Sequence, residues 1–543
     1  MARVALIAGM TFGLAARLGL VTVAASIALV LIVSLGECGW RASELARDDF
    51  LWSDAAIVRA VRSIAWAALI AGTSTTIGSA CGLALASLSP RLRAIMGPLT
   101  MLPLAIPSYL AYAGWGLARA PGSWLGDWLL AAKPPGFSDD PGFWPNLASK
   151  VQAVLGLSLW AWPIAALWVA APCISSDAVT SESLRIDARS WLARQRVRLA
   201  SVRGALASAF MCILLLMLGS TTPMHLAQLD TLSIKAWLTL AQSIPGDYFR
   251  AWAGTWPVAL AAASGALWWG VRASRGRRDA PSGSGTQPRG KAGVFPLALA
   301  ICAAAGVPMI LFIGSMKRWG AFGEFVTGTY AAALRQSLID AGAAAVVAGL
   351  ACVSLATITG SSGARRFRAA SLTAVFTLLL LGTLLPGVLV GSALARADHF
   401  AGRFVSLGSL VVVLGQLARA GAIVAAVAWW AGALAKRRVG DIQSLDGADR
   451  SPWHWLTTSP RESAAMCGVG AILVAAVAIH EAEATVMTMQ TGTTNLAWSM
   501  LQFLHLGRDD MLSAGVIVLT SVSIVLAGMA AFLLWVFARL QRA

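Results

Sequence analysis

The sequence predicts an all-α, polytopic membrane protein made of two homologous six-helix domains in tandem. Of its 543 residues, 57% are hydrophobic and only 12% are charged, whereas about 25% of the residues of a soluble domain are charged. The apolar residues form runs of 18 or more, and about 20 helical residues cross the hydrocarbon core of a bilayer. A basic stretch near the midpoint separates two segments with matching motifs. These observations exclude a soluble globular domain.

The apolar segments predict about twelve membrane spans. Six lie in a first domain, residues 1–271, and six lie in a second domain, residues 293–543. Residues 272–292 between them are basic and rich in Gly, Ser and Pro, which is typical of a flexible linker. The predicted spans are 18–36, 61–88, 95–118, 151–173, 205–222, 251–271, 294–315, 333–359, 369–395, 405–434, 463–486 and 511–538.

Short motifs recur in both domains in the same order. Pro107 in the third span matches Pro386 in the ninth, and Trp237 matches Trp498 farther along. The offset between matching motifs becomes smaller after the long loop 119–150, because its counterpart in the second domain is short. An internal duplication explains both the motifs and the changed offset.

Basic residues predict the orientation of the chain in the membrane. With both termini in the cytoplasm, the inner segments contain 26 Lys/Arg and 8 Asp/Glu, and the outer loops contain 15 and 17. This asymmetry follows the positive-inside rule. The net charge of +17 is then explained by contact with the lipid bilayer, and no nucleic-acid partner is needed. We expect a multi-pass protein of the cell (inner or plasma) membrane.

Motifs of catalysis and metal binding are incomplete. The stretch from Gly285 to Lys291 spells G-x-x-x-x-G-K, but Ala292 stands where a phosphate loop needs Ser or Thr. His480 and Glu481 begin like a zinc HExxH motif, but Ala484 replaces the second histidine. We therefore expect no enzymatic activity, no catalytic residue, no metal site and no cofactor bound by this chain.

Two long inner loops share a pattern. Each begins with an acidic residue, has Asp five residues later and a small residue next, and continues as an amphipathic stretch into the following span. Such a loop would form a short helix, a turn and a second helix against the membrane. The residues concerned are Glu182, Asp187, Ala188 and Arg189 in the first loop, and Asp441, Asp446, Gly447 and Ala448 in the second.

These loops resemble the EAA loop of binding-protein-dependent ABC importer permeases, whose pattern is E-A-A-x3-G-x9-I-x-L-P. The second loop, about 436–462, keeps the spacing with Asp441, Gly447 and Pro460. The first loop, about 181–204, has Ala188 in place of the glycine and lacks the proline. The proline-containing third spans and the stretch 481–507 are similar to fused ferric-iron permeases.

The resemblance implies a function and partners. Two copies of a cytoplasmic ABC ATPase would bind the two loops and use ATP-Mg, and an extracytoplasmic solute-binding protein would deliver the substrate. Ferric iron is the first expectation for the substrate, and thiamine, a polyamine or an inorganic anion stay open. A secondary transporter with 6 + 6 repeats, driven by an ion gradient, is the alternative from a different class.

Polar residues within the predicted spans are candidates for the translocation pathway, because burying a charge in a membrane is costly. Arg419 lies mid-way along the tenth span, with Gln416 on the same helical face. Glu481 and Glu483 end or interrupt the eleventh span, where they could form a cation-attracting gate or lie in water at the outer interface. The aligned stretch 220–223 of the first domain has no acid.

Overall fold

The computed structural model is helical throughout its described part. It describes residues 2–40, 53–120, 123–131, 143–175, 202–241, 247–275, 293–360, 365–402, 408–445, 451–459, 461–490 and 492–540, with residues 200 and 291. Within these ranges, no residue belongs to a β-strand. The prediction of an all-α protein is therefore confirmed for this part of the chain.

Before the basic linker the chain forms eleven described α-helices. They are α1 Ala2–Trp40, α2 Asp54–Ser87, α3 Pro90–Thr100, α4 Ser108–Leu117, α5 Trp124–Ala131, α6 Phe143–Ser175, α7 Arg203–Gly219, α8 Thr222–Leu226, α9 Leu232–Ala241, α10 Asp247–Gly254 and α11 Trp256–Arg275. A 3₁₀ turn, Leu102–Ala105, lies between α3 and α4. Helix α11 continues four residues into the predicted linker, and residues 276–290 lie outside the described residues.

After the linker the described residues form thirteen α-helices. They are α12 Val294–Ile301, α13 Val307–Ser315, α14 Ala321–Val326, α15 Ala331–Gly360, α16 Arg365–Leu384, α17 Gly387–Ala401, α18 Leu410–Arg419, α19 Gly421–Leu445, α20 Pro452–Thr458, α21 Arg461–His480, α22 Glu483–Thr488, α23 Leu496–Leu506 and α24 Asp509–Leu540. A π-helical turn, Cys302–Gly306, joins α12 to α13.

Long apolar helices confirm the membrane-protein prediction at the coarse level. Seven helical segments among the described residues are long and apolar enough to cross a membrane, and the number rises to ten if each of three bent pairs is one span. The other two of the twelve predicted spans, 205–222 and 251–271, are not among them. Helix α7 has only 17 residues, and the second of these spans is divided between α10 and α11.

Matching prolines interrupt two of the bent pairs. The segment Pro90–Ala105 meets α4 at 80°, and α16 meets α17 at 105°. Pro107 and Pro386 are the residues directly before α4 and α17. Proline lacks an N–H group and disfavours helical geometry at the preceding residue, so the helix ends there. Each interruption leaves backbone groups that need other partners inside the membrane.

Small residues allow the helices of the first segment to approach closely. A Cβ atom on Gly78 of α2 would lie 2.5 Å from the Cβ of Ala165 in α6. One on Gly82 would lie 2.6 Å from the carbonyl oxygen of Ala166. Membrane helices pack mainly through such small-residue contacts. The glycines therefore fix the contact between α2 and α6.

Two serines make equivalent hydrogen bonds on the two sides of the linker. Ser63 in α2 accepts the N–H of Leu232, the first residue of α9, at 2.9 Å. Ser337 in α15 accepts the N–H of Leu496, the first residue of α23, also at 2.9 Å. In both places the hydroxyl satisfies an N–H that the start of a helix leaves without a helical partner. We call these two bonds the serine clamps.

Helices from before and after the linker pack against each other. Helix α1 contacts α15, and α11 contacts α16. Helix α4 contacts α13, where a Cβ on Gly114 would lie 2.8 Å from the ring of Phe312. The buried core includes residues from both sides of the linker. The linker therefore joins two segments that share one hydrophobic core.

Candidate functional site

Three helix interruptions meet around the side chain of Glu483. One separates α7 from α8 at Thr221, one separates α21 from α22 at Ala482, and one separates α16 from α17 at Pro386. Helix α17 packs against α22, and α18 also contacts α22. We call this place the carboxylate junction and define it by Thr221, Thr222, Gly387, Arg419, Glu481 and Glu483.

The carboxylate of Glu483 is buried and bound to backbone. The residue is only 8% exposed. Its Oε1 accepts the N–H groups of Thr221 at 2.6 Å and Thr222 at 2.8 Å, and its Oε2 accepts that of Gly387 at 3.2 Å. Hydrogen bonds to an ionised acceptor are stronger than neutral ones. The side chain therefore joins an interruption before the linker to one after it.

Gly387 is required for this approach. A Cβ atom there would lie 2.6 Å from the Cβ of Glu483, 2.7 Å from its Oε2 and 3.2 Å from Oε1 of Glu481. Any larger residue would push the carboxylates away. One turn later in α17, a Cβ on Gly391 would lie 2.6 Å from the carbonyl oxygen of Ala484. Two glycines thus allow α17 to lie directly on α22.

Arg419 binds the second acid of the junction. Its Nε donates to Oε2 of Glu481 at 3.3 Å. Its Nη1 donates to the carbonyl of Thr383 at 2.6 Å and to the carbonyl of Leu385. These are among the last carbonyls before Pro386, which the interruption leaves without helical donors. Arg419 therefore pairs with an acid and also satisfies the backbone at this interruption.

The sequence predicts that Arg419 lies mid-way along a span, whereas in the structure it is the last residue of α18. The tenth predicted span is not one straight helix, because α18 ends at Arg419 and α19 begins at Gly421 with a bend of 58°. The Oγ1 of Thr383 donates to the carbonyl of Arg419 at 2.8 Å and accepts the N–H of Ala422 at 2.9 Å. The threonine therefore satisfies the backbone at this bend.

Glu481 and Glu483 are shielded from solvent by the protein. The side chains of Glu481 and Arg419 are 11% and 14% exposed. The Oε1 of Glu481 accepts the N–H of Ala484 at 2.9 Å near the start of α22. Neither acid is therefore largely exposed to solvent in this structure. With all three groups ionised, the two carboxylates and the one guanidinium leave a net charge of −1.

Several buried polar atoms around the junction have no hydrogen-bond partner in the described part of the chain. They are the hydroxyls of Tyr109, Thr221, Thr222 and Thr485 and the Oε1 atom of Gln416. Gln416 is 2% exposed and lies on α18, which contacts α22. The phenol of Tyr109 interacts electrostatically with Glu481. Buried polar atoms normally find partners, so such a group needs an explanation.

Of the residues of the predicted ATPase-coupling loops, only Asp441 lies in the described part of the chain. Glu182, Asp187, Ala188 and Arg189 lie outside the described residues, as do Asp446, Gly447 and Ala448. Asp441 lies in the last turns of α19. The junction thus contains the pathway candidates Arg419, Glu481 and Glu483, and the fourth candidate, Gln416, lies on α18, the helix that Arg419 ends.

Sequence reasoning missed the partners of Glu483. Thr221 and Thr222 stand at the position that aligns with the acids, in a stretch that contains no acid. They contribute backbone N–H groups, which every residue except proline has. The residues Ser220, Thr221 and Thr222 directly before Pro223 are the sequence signal of a helix interruption there.

A histidine pair lies outside the candidate spans. The ring of His225 in α8 stacks on Trp237 at 5.7 Å and on His505 at 5.9 Å between centroids. Burial, followed by the nearby His505, lowers the pKa of His225 from its ordinary value of 6.5. The pair connects a helix before the linker with α23 after it. The neutral imidazole is therefore favoured in the folded chain.

The carboxylate junction contains groups that can pair with charged partners. It has two carboxylates, one guanidinium and neutral oxygen atoms. In the ranges that the structure describes, no three His, Cys, Asp or Glu side chains are grouped for holding a metal ion. A junction of this composition can attract and pass a charged solute, and it can bind two helix interruptions to each other.

No family model, no curated protein and no solved structure matches this chain.

Proposed function

We propose that the chain is the transmembrane permease subunit of an ATP-binding-cassette importer and supplies both halves of the translocation pathway. Each half would contribute six of twelve spans. The EAA-like loops, about 181–204 and about 436–462, and the matching prolines support this assignment. The multi-pass helical architecture is compatible with it.

The serine clamps are the observation that carries the proposal. In both Ser63 with Leu232 and Ser337 with Leu496, the hydroxyl of a serine in a long helix accepts the N–H of the first residue of a later helix, and the elements follow in the same order along the chain. Such repetition supports a tandem duplication, with the pathway between two related halves. Transporters commonly place the pathway where repeats meet and where helices are discontinuous.

Energy would come from partner subunits. Two copies of a cytoplasmic ATPase would bind ATP-Mg and move both coupling loops, and a solute-binding protein would deliver substrate from outside. Both termini of this chain would lie in the cytoplasm of the cell. A ligand can drive such a cycle only through different affinities for the two states. Ferric iron is the proposed substrate; thiamine, a polyamine and an inorganic anion are the alternatives.

Affinity purification tests the proposal. The tagged full chain is isolated from native membranes in mild detergent, and its partners are identified by mass spectrometry. We expect an ATPase with a Walker A motif at two copies per chain. Gly447→Trp should reduce this recovery, and Gly285→Trp in the linker should leave it unchanged. Absence of any ATPase after cross-linking would contradict the proposal.

The burial of Glu483 favours a second candidate, a secondary transporter driven by an ion gradient. A membrane-embedded acid is the feature that such a mechanism requires. The two candidates separate in vesicles that contain the purified chain alone. Substrate uptake driven by an imposed ion gradient, and abolished by an ionophore, would favour the secondary transporter. An importer permease has no such activity without its ATPase.

A further inference from the structure

An apolar groove runs between α15 and α21. Its walls also include Phe12 of α1 and Leu526 of α24, its lining residues are all apolar, and its volume is about 470 Å³. All four helices belong to segments that are long and apolar enough to cross a membrane. The groove therefore faces the hydrocarbon of the bilayer, and its volume lies in the range of about 300–1,000 Å³ that is typical of sites for small ligands.

Small residues keep the groove open. On α21 they are Ala464, Gly468, Ala471 and Ala475, and their spacing of three or four residues places them on one helical face. Gly349 of α15 lies opposite, where a Cβ atom would be 3.1 Å from the Cβ of Ala471. The two helices thus approach each other closely, and no large side chain from this face of α21 fills the space beside them.

The length of the groove indicates its occupant. From Ala464 to Ala475 the groove follows α21 for about 16 Å, which is about half of the 30 Å hydrocarbon thickness of a bilayer. A partner helix that crosses the membrane would need a contact of about twice this length, whereas a lipid chain extends through one leaflet only. We propose that the groove binds one acyl chain of a phospholipid. This inference does not depend on the transport function.

The end of the groove near α20 fits the head group of the lipid. Arg461 is exposed and begins α21, and it stands three residues before Ala464 on the same helical face. Phe12 packs edge-on against Trp453 of α20, with 5.4 Å between the ring centroids, and tryptophan is enriched where a membrane meets water. A guanidinium group binds phosphate oxygens through paired hydrogen bonds. Arg461 therefore holds the phosphate, and the chain follows the small residues towards the middle of the membrane.

The bound chain also connects the two segments of the protein. Phe12 belongs to the segment before the linker, and the other lining residues belong to α15, α21 and α24 after it. A lipid chain in the groove contacts both segments at once. It thereby adds apolar contact to the packing of α1 against α15.

Photo-cross-linking tests the occupant in the unmodified full chain. Phosphatidylglycerol with a diazirine on one acyl chain is added to the protein in a maltoside detergent, and the modified peptides are located by mass spectrometry after irradiation. We expect the adducts to concentrate in residues 345–353 and 464–475 and to saturate at one lipid per chain. Adducts spread evenly over the apolar helices would overturn the proposal.

Two alanines of α15 provide a matched pair of variants. Ala345 lines the groove, and Ala343 is exposed on α15 without lining it. Ala345→Leu should reduce the adducts by about tenfold or more, because the larger side chain takes the place of about three carbons of the lipid chain. Ala343→Leu should change them by less than about twofold. Equal labelling of these two variants would overturn the proposal.

Arg461→Gln tests the head group and replaces only an exposed side chain, so it also serves if Ala345→Leu does not fold. It should reduce the labelling by phosphatidylglycerol and leave unchanged the labelling by a diazirine-bearing diacylglycerol, which has no phosphate. An equal effect on both lipids, or no effect on either, would contradict the role of Arg461. A single-span protein that copurifies and prevents the labelling would show that the groove belongs to a partner helix, which would also overturn the proposal.

Discussion

Glu483 accepts a hydrogen bond of 2.6 Å from the backbone N–H of Thr221, a residue 262 positions earlier in the chain. This bond joins a helix interruption before the basic linker to one after it. Both groups are buried, so neither can turn to water if the bond breaks. A movement that separates the two interruptions must therefore supply new partners for both groups.

Removing this carboxylate should cost much of the local stability. Glu483→Ala leaves three buried N–H groups without an acceptor, and each such loss costs about 1–3 kcal/mol. We expect the free energy of unfolding in detergent to fall by about 3 kcal/mol or more. Thr222→Val is the control, because it keeps the backbone N–H and removes only a hydroxyl that lacks a partner in the described residues. A loss as small as that of the control would contradict the role of Glu483.

The serine clamps should contribute equally. Ser63→Ala and Ser337→Ala each remove the acceptor of a buried backbone N–H, and each should destabilise the fold by about 1–3 kcal/mol. Chemical denaturation of the two variants measures this. Ser74→Ala is the control, because that hydroxyl donates only to the carbonyl of Ile70 in its own helix. A large effect at one clamp and none at the other would argue against equivalent halves.

Arg419 and Glu481 should be strongly coupled. Removing one member of a shielded pair leaves the other charge uncompensated, which costs about 3–5 kcal/mol, whereas removing both costs less. We therefore expect Arg419→Gln to be partly rescued by Glu481→Gln. A double-mutant cycle on unfolding free energies measures the coupling, which should exceed about 0.5 kcal/mol. Additive effects would show that the 3.3 Å contact carries no energy.

Acid should weaken the contact between α8 and α23. Because the folded chain lowers the pKa of His225, the neutral imidazole stabilises the fold fully above the ordinary pKa, and this stability is lost as the pH falls below it. We expect the unfolding midpoint to drop between pH 7 and pH 5. His225→Gln should reduce this drop, and His505→Asn should reduce it less, since burial is the larger cause. An identical pH profile in wild type and His225→Gln would contradict the assignment.

The sequence allowed some parts of this arrangement to be predicted because their physics is local. Long apolar runs predict membrane helices, and Pro107 and Pro386 mark their interruptions by lacking an N–H group. Arg419 and Glu481 are candidates from the sequence because charges are rare in such runs. The hydrogen bond between Glu483 and the N–H of Thr221 could not be predicted. A backbone donor has no side-chain signature, and the contact depends on how distant helices pack.

Two of the predicted spans illustrate the limit of hydropathy. The stretch 205–222 is apolar, but its helix stops after 17 residues at Gly219, where a Cβ atom would lie 2.7 Å from the carbonyl oxygen of Leu384. The stretch 251–271 is divided because Thr255 lies between two helices. Mean hydropathy over a window of residues does not detect such breaks, because they depend on how the helices pack.

The packing of α1 on α15 and of α11 on α16 has a consequence for how the gene could be divided. Each half buries part of its surface only against the other, so a half synthesised alone would expose that surface to lipid or to chaperones. Two separately synthesised halves would have to find each other in the plane of the membrane. A covalent connection instead fixes their ratio at one to one and keeps the effective concentration of the second half in the range of about millimolar. Because both segments belong to one chain, neither is made without the segment that it packs against.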